Sequence, residues 1–455
     1  MVVPVDYKNP KGEKITLVMA RLKSTAKGSA PLGTLLINPG GPGGIATTII
    51  FAAATEPLLS DELTAQYDVV GLDPRGVGAS TPVKCDPDVW NKRVSQFPTT
   101  EAEFEALIAY NKAVGESCLK LTGNLFNHLS TNDVVEDMEM FRRAINNEAA
   151  EGCKNQKLNF VGFSYGTLLG TQYAEQYAEN IGRFVLDGAV DHSLPETATL
   201  LGEVTTYENT LNQFFQWCDT SSECVLQGQD VAALFDTLVQ NASKTPIPAP
   251  GCPSTGESAC YPVVTGEDIR SNTQNFLVGP NVTIAWPILA EALAEAAKGN
   301  ATLISIPKAT GETFSVYPFV AIGCQDWLHQ STTFAEVQAK MRMAAAFAPH
   351  TKGTTQSYWA QVGCLGWPAP LVNPQHALKS KAQKAPPMLI VNALHDPETS
   401  YSWAVSLAVQ FPKSVLLTRN GAGHTSYAIG GEARALSDKF LITGELPTPG
   451  TIVNS

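Results

Sequence analysis

A strand-like run that ends in Gly-x-Ser-x-Gly and turns at once into a helix constrains this chain more than any other feature. Residues 158–163 are apolar and β-rich, Gly162-Phe163-Ser164-Tyr165-Gly166 closes the run, and residues 167–178 carry a helical pattern. Glycine has no Cβ, so a chain can turn sharply there and pack strand against helix. A serine on such a turn presents its hydroxyl outward, beside the positive end of the helix dipole. The arrangement demands a sheet edge that carries loops, and it points to acyl transfer through a serine nucleophile.

The rest of the chain supplies that sheet. Residues 14–22, 33–38, 67–73, 157–163 and 183–187 read as strands rich in Val, Ile, Leu and Phe, with helices at 131–147 and 167–178. A second block resumes near Pro386, with strands at 387–392 and 414–418 and helices at 401–411 and 425–440. Alternating β and α units predict a mostly parallel sheet covered by helices on both faces. Residues 192–380 differ: helical signals dominate, broken by Pro- and Cys-rich loops such as 245–262. We read them as a mainly helical cap inserted over the carboxyl edge of the sheet. The chain then divides into a first core part (1–191), the cap (192–380) and a second core part (381–455), all within the 455 residues available.

Charge and cysteine usage narrow the classes. The net charge of −12, with no cluster of Lys and Arg, argues against nucleic-acid binding. No apolar run reaches membrane-spanning length, so no membrane partner is expected. Among the nine cysteines, Cys218/Cys224 and Cys252/Cys260 are close enough in sequence to close local disulfide loops, and Cys153 is expected to stay unpaired. They lack Cys-x-x-Cys spacing, so no zinc site is expected. Sequons begin at Asn241, Asn281 and Asn300. The sequence opens Met1-Val2-Val3-Pro4-Val5 with no visible leader, yet cysteines and sequons together favour an oxidising secretory compartment over the intracellular alternative.

A serine hydroxyl is a poor nucleophile at neutral pH and needs a base, which needs an orienting acid. In a hydrolase sheet of this kind they follow in the order serine, acid, histidine. Asp396, in Leu394-His395-Asp396-Pro397, leaves a strongly apolar strand. His424, in Gly421-Ala422-Gly423-His424, stands between the last strand and the last helix. Of the seven histidines, only this one has a strand-to-helix glycine setting. His395 is the runner-up base, Asp187 at the end of an earlier strand is the rival acid, and Glu398 lies further along its loop. For the oxyanion, backbone N–H donors are expected from Tyr165, after the nucleophile, and from Gly41 in Asn38-Pro39-Gly40-Gly41-Pro42-Gly43-Gly44. That glycine loop lacks the Lys and Ser/Thr of a phosphate-binding loop, so no nucleotide cofactor is expected.

These motifs, with Asp73-Pro74-Arg75-Gly76-Val77-Gly78-Ala79-Ser80, Val3-Pro4-Val5-Asp6-Tyr7 and Ala321-Ile322-Gly323-Cys324-Gln325-Asp326, make the chain resemble the prolyl iminopeptidase-type peptidases, in particular their secreted tripeptidyl aminopeptidase-like branch. The resemblance implies an α/β-hydrolase fold, a Ser164–Asp396–His424 triad, and release of short N-terminal peptides without metal or cofactor. Departures occur at Gly44-Ile45-Ala46 and at His395-Asp396-Pro397-Glu398-Thr399-Ser400. They leave the triad intact and bear on the substrate, which is a peptide or a small ester. An exopeptidase must also hold the substrate's ammonium, and Asp326, beside an expected Cys324/Cys364 staple, is one candidate. Glu203 and Glu208 on a cap helix are others.

Overall fold

The computed structural model describes residues 1–26, 32–53, 55, 58–148, 156–279 and 282–454. Its main sheet has eight strands: β1 (Met19–Leu22), β2 (Thr34–Asn38), β3 (Asp68–Leu72), β4 (Leu158–Phe163), β5 (Ile181–Asp187), β6 (Leu389–His395), β7 (Val415–Ala422) and β8 (Ile452–Asn454). They lie in the order β8-β7-β6-β5-β4-β2-β3-β1. Every neighbouring pair is parallel except β1 with β3.

Both faces are buried, which is why the strand sequences read as continuous apolar runs. Leu36, Val70, Phe160, Phe184, Leu186 and Ile390 point to one face, under the helices Thr131–Glu148, Tyr165–Tyr177 and Tyr401–Gln410. Leu35, Ile37, Val69, Val161, Val185 and Val391 point to the other, against Leu63, Ala433, Phe440 and Leu441. The period of two along each strand thus feeds two separate cores. This is an α/β-hydrolase fold.

Some elements differ from the sequence expectation. The run 14–22 is not one strand. Lys14–Thr16 pairs with Val2–Pro4 in a small hairpin, and β1 starts only at Met19. Between them Thr16 and Val18 donate their N–H groups to Thr81 Oγ1 and Ser80 Oγ at 3.0 and 2.9 Å. The helix expected over 425–440 breaks into Ser426–Ile429 and Gly431–Thr443, because Gly430 and Gly431 both take positive φ (95° and 62°). Strand β8 has no counterpart in the expectation.

Seven α-helices among the described residues and a short β-ribbon lie between β5 and β6. They have a core of their own, including Tyr207, Phe214, Phe235, Ile269 and Leu289. Packing does not follow the chain boundaries, however. The helix Glu101–Thr122 joins the covering layer, with Phe104 and Leu107 packed among Leu200, Val204, Val337 and Tyr358. Conversely, Tyr317, Ala321 and Ile322 of the helix Tyr317–Asp326 enter the core of the sheet. Four disulfides are formed, Cys85–Cys118, Cys218–Cys224, Cys252–Cys260 and Cys324–Cys364. Cys153 lies outside the described residues.

Candidate active site

Ser164 follows β4 with φ 53° and ψ −127°, a left-handed conformation for a non-glycine residue. Such strain costs of order 1–3 kcal/mol and persists only where the surroundings hold it. Here they do. The Ser164 N–H donates to the carbonyl of Asp187 at 2.9 Å, and the Ser164 carbonyl accepts from the Thr167 N–H at 2.8 Å and from Thr167 Oγ1 at 2.7 Å. The flanking glycines are needed for close approach. A Cβ on Gly162 would lie 2.4 Å from the Gly166 carbonyl oxygen, and one on Gly166 would lie 2.9 Å from that of Asn38.

Asp396 and His424 meet because β6 and β7 are parallel neighbours, with His395 opposite Ala422. Both loops therefore leave the same sheet edge. His424 Nδ1 lies 2.9 Å from each carboxylate oxygen of Asp396. Asp396 is fully buried, and its oxygens also accept from the N–H groups of Glu398 and Thr399 and from Thr399 Oγ1 at 2.9, 2.8 and 2.8 Å. Burial alone would raise its pKa. The His424 charge and these hydrogen bonds overcome that and hold it below the ordinary aspartate value. Burial would lower His424, but the negative charges of Asp396, Glu398 and Asp187 push it up to about 9. The buried Arg419 guanidinium donates to the carbonyls of Ala422 and Gly423 and shapes the loop that carries the imidazole.

Ser164 and His424 face the same strand end. Asp187, which receives the Ser164 N–H, is followed by Gly188, and a Cβ there would lie 3.2 Å from His424 Cε1. Among the described residues, His424 Nε2 has no hydrogen-bond partner. Its near neighbour is Glu398 Oε2 at 3.2 Å, within ion-pair distance but outside hydrogen-bond geometry. Catalytic hydrogen bonds are often long in unliganded sites and tighten in the substrate complex.

The rival residues are engaged with other partners. Asp187 accepts the N–H groups of Ser426 and Tyr427 at 2.9 and 2.6 Å, at the start of the helix after His424. Burial pushes its pKa up to about 6. His395 turns its Nδ1 to Asn209 Oδ1 at 2.5 Å on the cap helix Glu196–Thr220.

Tyr165 opens its helix, so its N–H has no intrahelical carbonyl. Its phenol lies away from the turn, 2.5 Å from Thr131 Oγ1. The glycine loop presses on the same turn. A Cβ on Gly40 would lie 2.8 Å from Ser164 Cβ and 3.1 Å from the Tyr165 nitrogen. Gly41 is the next residue, at φ 105°.

The three carboxylates expected to await an ammonium are already engaged. Asp326 accepts from the Thr131 N–H (2.9 Å), Thr131 Oγ1 (2.6 Å) and Asn373 Nδ2 (2.9 Å), and burial pushes its pKa up to about 7. Glu203 accepts from the N–H groups of Gln356 and Ser357 and from Gln274 Nε2 at 3.1, 2.8 and 2.8 Å, capping the helix Gln356–Gly363. Glu208 accepts from the N–H groups of His350 and Thr351 at 3.0 and 3.1 Å. Two residues at the site, Thr399 and Gln356, are not singled out by the sequence, and Glu398 enters there only as an acid further along its loop than Asp396. Thr399 had a local signal, an aspartate three residues earlier, as in a side-chain cap. Gln356 had none, since it arrives from the cap. No cluster of three or more His, Cys, Asp or Glu side chains among the described residues could hold a metal ion.

Residues 33–260 match the family described as alpha/beta hydrolase fold, and residues 351–452 match the one described as TAP-like protein. Serine protease Hip1 of Mycobacterium tuberculosis is 28% identical, with 99% of this chain and 86% of that protein covered. Tripeptidyl aminopeptidase of Streptomyces coelicolor is 26% identical, with 98% and 80% covered. Carboxylesterase B of Mycobacterium tuberculosis is 28% identical, with 98% and 84% covered.

Proposed function

The chain belongs to the alpha/beta hydrolase fold family, and from that premise we propose that it is a serine exopeptidase that releases short peptides or single residues from peptide N-termini through an acyl-enzyme. One observation carries the reading. A strained serine on a nucleophile turn shares a sheet edge with a buried imidazole held by a carboxylate at 2.9 Å. Ser164 is the nucleophile, His424 the base and Asp396 the orienting acid. His424 Nε2 takes the Ser164 proton as Oγ attacks the carbonyl carbon. The N–H groups of Gly41 and Tyr165 hold the oxyanion. Collapse expels the leaving amine, which takes that proton from His424, and water then hydrolyses the ester. Support for peptide substrates comes from the similarity to a serine protease and a tripeptidyl aminopeptidase. Four disulfides fit a secretory setting.

A second reading is an esterase acting on a small-molecule ester. It is favoured by the similarity to a carboxylesterase, and by the engagement of Asp326, Glu203 and Glu208 in backbone contacts rather than in an open ammonium site. A panel of aminoacyl and tripeptidyl arylamides run against aryl esters separates the two. The peptidase reading predicts turnover of the arylamides, with a free amino terminus required. Turnover of esters alone would reject it in favour of the second.

A further inference from the structure

Glu398 has a place that the mechanism above does not use. It lies two residues beyond Asp396 and is buried. Its Oε2 stands 3.2 Å from His424 Nε2, the nitrogen that must receive the serine proton. Its Oε1 accepts from Gln356 Nε2, delivered by the cap. The imidazole therefore has a carboxylate at each nitrogen, Asp396 on Nδ1 and Glu398 beside Nε2. The other charged groups around the pair are Asp187 at the end of β5, Glu203 on the cap helix, and Arg419 on β7, whose positive charge faces Asp187 and Asp396. Among the described residues, negative groups around the pair outnumber the guanidinium, so the surroundings favour the imidazolium over the neutral ring.

We propose that Glu398 is a positioning residue for the base, a second carboxylate that holds His424 as imidazolium in the resting site and so sets the pH above which Ser164 is activated. The proposal rests on the triad reading. Activation requires one proton to leave His424 for solvent; the freed Nε2 lone pair then accepts the Ser164 proton as Oγ attacks. The surroundings agree in direction. His424 is pushed up to about 9, and Glu398, raised by burial against the pull of the His424 charge, to about 7. Replacing the Glu398 charge by a neutral amide removes one group that favours the imidazolium. The acid limb of kcat/KM, which reports the base in the free enzyme, then moves to lower pH.

The test is kcat/KM for an uncharged aryl ester from about pH 5 to about pH 10, for the native protein, Glu398→Gln and Glu398→Asp. Glu398→Gln is expected to lower the midpoint of the acid limb by about one unit or more and to raise the relative rate on its acid side. Glu398→Asp keeps the charge and is expected to stay nearer the native profile. A Glu398→Gln limb that is unmoved, or moved upward, overturns the proposal. Should that variant fail to fold, ¹⁵N titration of His424 in the native protein and in Glu398→Ala decides: a lower midpoint in the variant supports it, and an unmoved or higher one overturns it. Fluorophosphonate labelling of the native protein runs alongside. Absence of labelling sinks the triad itself, whereas normal labelling with an unmoved limb sinks only the role of Glu398.

Discussion

Gly40 shows how tightly single residues are fitted around Ser164, the proposed nucleophile. A Cβ there would lie 2.4 Å from the Phe163 carbonyl oxygen and 2.8 Å from Ser164 Cβ, at a φ of +92° that side chains rarely adopt. Gly40→Ala must therefore displace the loop that carries Gly41. We expect kcat/KM for an aryl ester to fall by about 10²–10³, the usual cost of one oxyanion donor. A native rate in the folded variant would show that this loop does not serve the oxyanion. The signals that single out Ser164, Asp396 and His424 are local, being glycine flanks and strand ends, and so were readable in the sequence. Glu398 was visible only as a more distant acid on the Asp396 loop, and Gln356 carried no such signal. Gln356 reaches Glu398 from a cap helix 42 residues away in sequence, and Glu398 meets His424 because the loops after β6 and β7 leave the same sheet edge.

Elements were legible where one local rule governs them. Strands β2, β4, β5 and β6 are apolar on both faces, and the sequence marks them as such. The break between Ser426–Ile429 and Gly431–Thr443 turns on backbone conformation at two glycines, which a helical pattern conceals. Asp326 makes the same point in its contacts. From the sequence it is an acid beside a tryptophan. In the fold it ends one helix and holds the first residue of another, through the Thr131 N–H at 2.9 Å and Thr131 Oγ1 at 2.6 Å. Asp326→Ala leaves those buried donors unpaired. We expect a loss of about 1–3 kcal/mol in denaturant unfolding. The folded variant should keep its KM for a peptide with a free amino terminus. A raised KM at native stability would instead return Asp326 to an ammonium-binding role.

At the scale of the whole molecule, alternation of strands and helices was enough to indicate a mostly parallel sheet covered on both faces. Layer membership was not, because it depends on distant partners. The helix Glu101–Thr122 comes early in the chain yet packs with the cap, and Tyr317 comes late in the inserted region yet packs with the sheet. The disulfides divide the same way. Cys218–Cys224 and Cys252–Cys260, separated by 6 and 8 residues, were readable as local loops, while Cys85–Cys118, at a separation of 33, was not. What unites the layers is the sheet edge that carries Ser164, Asp396 and His424, where Gln356 of the cap bonds Glu398.

Mass-spectrometric mapping of the adduct formed with a fluorophosphonate tests that convergence most directly. The account predicts one adduct per chain, on Ser164, lost in Ser164→Ala and strongly slowed in His424→Ala, with both variants folded. A folded native protein that stays unlabelled, or an adduct on any other side chain, would contradict it.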